Sequence, residues 1–73
     1  MKEETIKSEA ELGKILKSRR KELEITQKEL ADYCALSHNG ISQIELGEKS
    51  VRLSTLLKLA KILGFKIVLK MEE

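Results

Sequence analysis

The chain of 73 residues contains no proline, no tryptophan, one cysteine and one histidine. A single cysteine excludes an internal disulfide, and with a single histidine it cannot supply the ligands of a zinc finger. Aromatic residues make up 3%, namely Tyr33 and Phe65. Readers of single-stranded nucleic acid stack bases on aromatic platforms, so this scarcity argues against that class. No apolar run approaches the roughly 18 residues that span a bilayer. The start, Met1-Lys2-Glu3-Glu4, is polar and lacks an apolar signal core. A cytoplasmic protein is therefore expected. No glycine-rich phosphate loop is present. At about 100–200 residues per domain there is room for one domain only. A chain this short buries only about 60% of the surface its unfolded form exposes. The core must be compact, or shared with a second copy, and an enclosed catalytic pocket has little room.

What is present is 41% hydrophobic and 36% charged, too apolar for a disordered tail and too charged for a membrane protein. The net charge of +2 says little, but its distribution says more. Over residues 1–11, Lys2 and Lys7 stand against Glu3, Glu4, Glu9 and Glu11, a balance of −2. Over residues 12–25, Lys14, Lys17, Arg19, Arg20 and Lys21 stand against Glu22 and Glu24, a balance of +3. Residues 54–71 carry only Lys58, Lys61, Lys66 and Lys70, a balance of +4. Phosphate backbones attract such segments. Lysines also solubilise the outer face of any helix, and charge alone does not separate the two.

Residues 1–7 lack apolar periodicity and read as a mobile arm. Ser8-Glu9-Ala10-Glu11 fits a capping box, in which the serine takes a free N–H and the glutamate reaches back. Leu12, Ile15, Leu16 and Leu23 then recur at helical spacing, predicting a helix over about 9–23. Gly13 inside it costs roughly 1 kcal/mol against alanine. Thr26-Gln27-Lys28-Glu29 is a second capping box, opening a helix over about 27–34. Ser37 caps a third, with Ile41 and Ile44 facing inward and Gly47 as its stop. Ser42-x-x-Glu45 has the same pattern but falls in mid-helix. Ser54 is the expected cap of a fourth helix, whose Leu56, Leu57, Leu59, Ala60 and Leu63 form an apolar stripe ended by Gly64.

The tail changes period. Phe65, Ile67, Leu69 and Met71 alternate with Lys66, Val68 and Lys70, which predicts a strand. Nothing else in the chain reads as one. A lone strand leaves its N–H and C=O groups unpaired. The cheapest partner is the same strand of a second copy about a two-fold axis, making a homodimer in which Phe65, Ile67, Val68 and Leu69 carry the contact. A frayed extension of the fourth helix, or a tail packed on its own domain, is the alternative. The domain plan is an arm over 1–7, a domain over 8–64 and a dimerisation strand and tail over 65–73.

Two short helices joined by a three-residue turn are the geometry that sets a second helix in the major groove of DNA. Ala31 is small where the helices cross, and Leu36 folds back into the core. Ser37 leaves free N–H groups and partial positive charge at the third helix, which suit a phosphate. Behind it, His38, Asn39, Ser42 and Gln43 form an outward polar face. Asparagine and glutamine bond adenine bidentately, and His38 can donate to guanine or accept from a base amine. Gly40 lets the backbone approach closely. The plainer alternative is a solvated face of a small bundle.

From Leu30 to Gly47, preceded by Thr26-Gln27, the sequence resembles the Xre/Cro/CI helix-turn-helix family, over about residues 12–64. Val51-Arg52-Leu53-Ser54-Thr55-Leu56-Leu57-Lys58 and the tail Leu63-Gly64-Phe65-Lys66-Ile67-Val68-Leu69 look most like HipB-type antitoxins, which end in a strand that pairs between subunits. The resemblance implies an all-α, lambda-repressor-like fold of four to five helices. It implies that His38, Asn39 and Gln43 reach base edges, and that Gln27, Lys49 and Ser50 hold phosphates. Arg20 and Glu45 fall where the family often has a partly buried ion pair, although a phosphate contact or a solvated charge also suits Arg20. Ala35 stands where the family usually has glycine in a left-handed conformation, at about 1 kcal/mol or more. Gly40 and Leu46 replace polar side chains that would touch DNA.

Cys34 and His38 lie four apart, but the first sits on a core face and the second opens the next helix outward, so a catalytic pair is set aside. No cofactor, metal or enzymatic activity is expected. The expected function is repression of transcription by a homodimer on a palindromic double-stranded DNA operator, with half-sites about 34 Å apart. The resemblance adds neutralisation of a HipA-like kinase toxin. The competing expectation is a protein-interaction module on the same fold that does not bind DNA.

Overall fold

The computed structural model describes residues 2–72. Met1 and Glu73, the outermost residues of the expected arm and tail, lie outside the described residues. Four helices follow one another: α1 (Glu9–Glu22), α2 (Gln27–Tyr33), α3 (His38–Glu45) and α4 (Leu53–Leu63). The all-α architecture is the one expected, but no strand occurs among the described residues, so the strand expected at 65–71 is not formed within the single chain, where it has no strand to pair with.

The helix starts follow local chemistry. The Ser8 Oγ accepts the Glu11 N–H at 3.1 Å, but the Glu11 carboxylate turns to the Lys7 N–H at 2.8 Å instead of closing the expected box on Ser8. The chain entering α1 is extended, and that brings the preceding amide within reach. The Thr26–Glu29 box is complete, with both bonds near 3 Å. Hydrogen bonding to the charged form, from the Thr26 backbone N–H first and from the Thr26 side chain after it, holds the Glu29 carboxyl below its ordinary range. The fourth start corrects the sequence reading. Arg52, not Ser54, is the N-cap, without a side-chain bond. The Leu56 N–H closes onto the Arg52 carbonyl at 2.9 Å, so the first turn forms two residues early and Ser54 sits inside it.

Three helix ends share one device. After α1, α2 and α3, paired backbone bonds fold the chain back over the last turn: Glu24 to Lys21 with Ile25 to Arg20, Ala35 to Asp32 with Leu36 to Ala31, and Gly47 to Ile44 with Glu48 to Gln43. This is the Schellman arrangement, which needs one residue in the left-handed region. Only the third end uses glycine; Glu24 and Ala35 adopt φ of 57° and 55° without one. The strain expected at Ala35 is therefore present.

The core collects Leu16 of α1, Leu30 and Ala31 of α2, Cys34 of the turn, Ile41 and Ile44 of α3, and Leu59 and Leu63 of α4. Leu36 packs against it from the turn, as expected of that position. Gly13 explains its own presence. A Cβ there would lie 2.5 Å from the carbonyl oxygens of both Ile44 and Glu45, so α1 and α3 cross with backbones nearly touching.

Beyond Gly64 (φ 72°) the described tail has no regular secondary structure; the Phe65 N–H closes onto the Ala60 carbonyl at 3.1 Å, and Lys70 meets Glu3 of the N-terminal arm at 3.1 Å. Phe65 is half-buried against the domain's own core, while Val68, Leu69 and Met71 are each more than 70% exposed.

Candidate nucleic-acid interface

The helix-turn-helix pair presents α3 with one face buried and one open. Ile41 and Ile44 are 1% and 4% exposed and lock the inner face onto α2. His38 and Asn39 are exposed at the start of α3, and Ser42 and Gln43 are half-buried one turn on. Gly40 is buried, and a Cβ there would meet only the Ser37 Oγ, at 3.0 Å. Packing against other elements does not demand glycine at this position. Ser37 caps α3 by accepting the Gly40 N–H at 2.9 Å. The amides of His38 and Asn39 belong to the first turn and have no intrahelical acceptor, which leaves them for an anion.

A polar chain ties this face to α1. Arg20 donates from Nε to Glu45 Oε2 at 2.6 Å and from Nη2 to Oε1 at 3.0 Å, with side chains 9% and 3% exposed. Its Nη1 holds the Ile25 carbonyl in the α1–α2 turn at 2.8 Å. The expected ion pair between Arg20 and Glu45 is thus present and buried, and Arg20 is neither a solvated charge nor a phosphate ligand. Gln27 Nε2 donates to Glu45 Oε1 at 3.0 Å, and Gln27 Oε1 lies 3.0 Å from His38 Nε2. The Gln27 amide is therefore engaged at both ends as a bridge, with one of its two Nε2 hydrogens left over.

The structure brings together Gln27, Ser37, His38 and Gly40 by direct bonds, and carries Asn39, Ser42 and Gln43 on the same helix. Lys49 and Ser50 lie beyond α3 and are exposed. The Ser50 hydroxyl donates to Glu9 of α1 at 3.4 Å, so it faces a carboxylate. Arg19 has a role that charge counting missed. Its Nε donates to the Leu63 carbonyl at 2.7 Å and caps α4, and its Nη1 reaches Glu22. Of the basic residues in 12–25, Lys14, Lys17 and Lys21 remain exposed. Only the sequence separation of 44 residues hid the Arg19 contact.

Cys34 is 1% exposed, and burial pushes its thiol above the usual range while the charge of Lys58 pulls the other way. His38 turns to Gln27, so the two do not form a nucleophile–base pair. No His/Cys/Asp/Glu cluster with metal-binding geometry occurs among the described residues. No helix among them is long and apolar enough to cross a membrane.

Comparison with known proteins agrees with this geometry. No curated protein matches the sequence. Among solved structures, the chain is similar to the restriction-modification controller protein C.AhdI from Aeromonas hydrophila, at 28% identity and a TM-score of 0.76, over 80% of this chain and 88% of that one. It is similar to a HipB variant in its complex with an O2 20mer, at 25% identity and a TM-score of 0.82, over 99% of this chain and 100% of that one. A HipA-HipB-O2-O3 complex matches at 25% identity and a TM-score of 0.81, over 97% of this chain and 100% of that one. The family profile HTH_3, helix-turn-helix, matches residues 16–69. The chain therefore belongs to the Xre-type helix-turn-helix family of DNA-binding transcription regulators.

Proposed function

We propose that this chain is a cytoplasmic homodimeric repressor that sets α3 of each subunit into successive major grooves of a palindromic operator. The observation that carries this is the open polar face of α3, rigidly backed by Ile41, Ile44 and the buried Arg20–Glu45 pair. His38, Asn39 and Gln43 are the base-reading groups, and Ser42 borders them. The Ser37 cap with the open amides of the first turn, together with Lys49, holds phosphates. The similarity to HipB along nearly the whole chain supports the finer reading of an autoregulating antitoxin that binds and neutralises a HipA-like kinase.

Gln43 tests the reader. A carboxamide on a base edge is worth about 1–3 kcal/mol of discrimination. With a site selected from random duplexes, Gln43→Ala should weaken binding by that amount and relax base choice at one position per half-site. Unchanged affinity and preference would show that α3 does not read the groove.

Dimerisation rests on the tail. Its open edge and the exposed Ile67, Val68 and Leu69 suit pairing with the same segment of a second copy, and Phe65 anchors the segment to its own domain. Removing residues 65–73 should convert a dimer to a monomer at micromolar concentration in analytical sedimentation. A profile identical to that of the full chain would refute the ribbon.

A further inference from the structure

The polar chain from α1 to the start of α3 has a chemical consequence at its last member. An ion-paired carboxylate only accepts hydrogen bonds. Glu45 Oε1 already accepts from Arg20 Nη2, and Gln27 approaches the same oxygen at 3.0 Å. Gln27 must turn its NH2 group to Glu45, because the flipped amide would set oxygen against oxygen. Its carbonyl oxygen therefore faces His38 Nε2, at 3.0 Å. A carbonyl oxygen also only accepts, so Nε2 must hold the hydrogen. In a neutral imidazole the other nitrogen, Nδ1, is then a bare acceptor.

We propose that Arg20, Glu45 and Gln27 fix the polarity of His38, so that its free nitrogen accepts from an exocyclic base amine and disfavours guanine. Adenine N6 and cytosine N4 offer such a donor in the major groove, whereas guanine N7 and O6 are acceptors that an acceptor repels. Of the two roles open to His38 from sequence, donor or acceptor, the neutral ring takes the second. Glu45 and Gln27 are positioning residues, since they act through His38. The base-choice part rests on α3 being the groove reader.

The chain has one histidine, so its ring nitrogens give unambiguous signals in long-range proton–nitrogen NMR. The spectrum is read in mildly alkaline buffer. The wild-type ring should carry its hydrogen on Nε2. In Gln27→Lys the ammonium can only donate, so the hydrogen should move to Nδ1. Gln27→Met removes the bridge without adding charge and should let both tautomers appear, which covers a lysine variant that fails to fold. In competition binding at the base position that responds to His38→Ala, wild type should favour adenine or cytosine by roughly tenfold, and Gln27→Lys should reverse the preference. A wild-type hydrogen on Nδ1, or a tautomer that neither variant moves, would overturn the proposal while leaving the reader assignment standing. A tautomer that moves as expected while no base position responds to His38→Ala would overturn the base choice, and only Gln43→Ala leaving base preference unchanged as well would overturn the reader assignment.

Discussion

Replacing Glu45 with alanine should cost about 3–5 kcal/mol of folding stability, because it leaves a buried guanidinium without its counter-charge. A domain of this length has roughly 4–11 kcal/mol in total. The variant should therefore unfold at much lower urea, or be partly unfolded without it. Arg20 would keep one acceptor, the Ile25 carbonyl, and Gln27 would lose the oxygen that orients it. The cost lies in the unmatched charge rather than in a large net worth of the pair. Changing Arg20 and Glu45 together to methionine should thus recover most of the loss. Urea unfolding of the three proteins decides it. A single variant within 1 kcal/mol of wild type, or a double variant no better than the single, would contradict a buried, mutually dependent pair.

The second large effect comes from Gly13. Gly13→Ala should destabilise by roughly 2–3 kcal/mol, even though alanine is about 1 kcal/mol the better helix former. The added Cβ would fall 2.5 Å from two main-chain oxygens of α3, which cannot rotate away as a side chain can. The helices must separate, and with them moves the frame that aims α3. At 4–8 °C per kcal/mol for a domain of this size, the melting temperature should fall by about 10–20 °C. Gly40→Ala is the internal control, since the only neighbour it would crowd is the Ser37 hydroxyl. If Gly13→Ala melts at or above wild type, the close crossing of α1 and α3 is wrong.

Gly13 and Arg19 mark where sequence reading reaches its limit. Gly13 reads from sequence as a local cost without a reason, because the reason is a backbone more than 30 residues away. Arg19 reads as a phosphate attractant but serves the last carbonyl of α4. Capping oxygens, apolar spacing and the stop at Gly47 act within one turn of chain, so α1, α2 and α3 were legible to within a residue or so. Ser54 misled because a serine near a helix start is a cap signal only if the turn has not already closed behind it. At the site, Ser37, His38, Asn39 and Gln43 fall on the face that periodicity assigns. The engagement of Gln27 at both ends was not legible, since it depends on Glu45 arriving from the far end of α3. The tail's period of two is visible, yet a single copy offers no strand for it to join.

The central claim, that α3 docks in duplex DNA, is met most directly by titrating a selected duplex with the wild-type protein over a salt series. Each phosphate neutralised should contribute about −0.9 to the slope of log affinity against log salt concentration, so binding should be tight near 50 mM and fall steeply by 200 mM. A protein that shows no affinity for any duplex at the lowest salt, or one whose affinity ignores salt, would contradict the account.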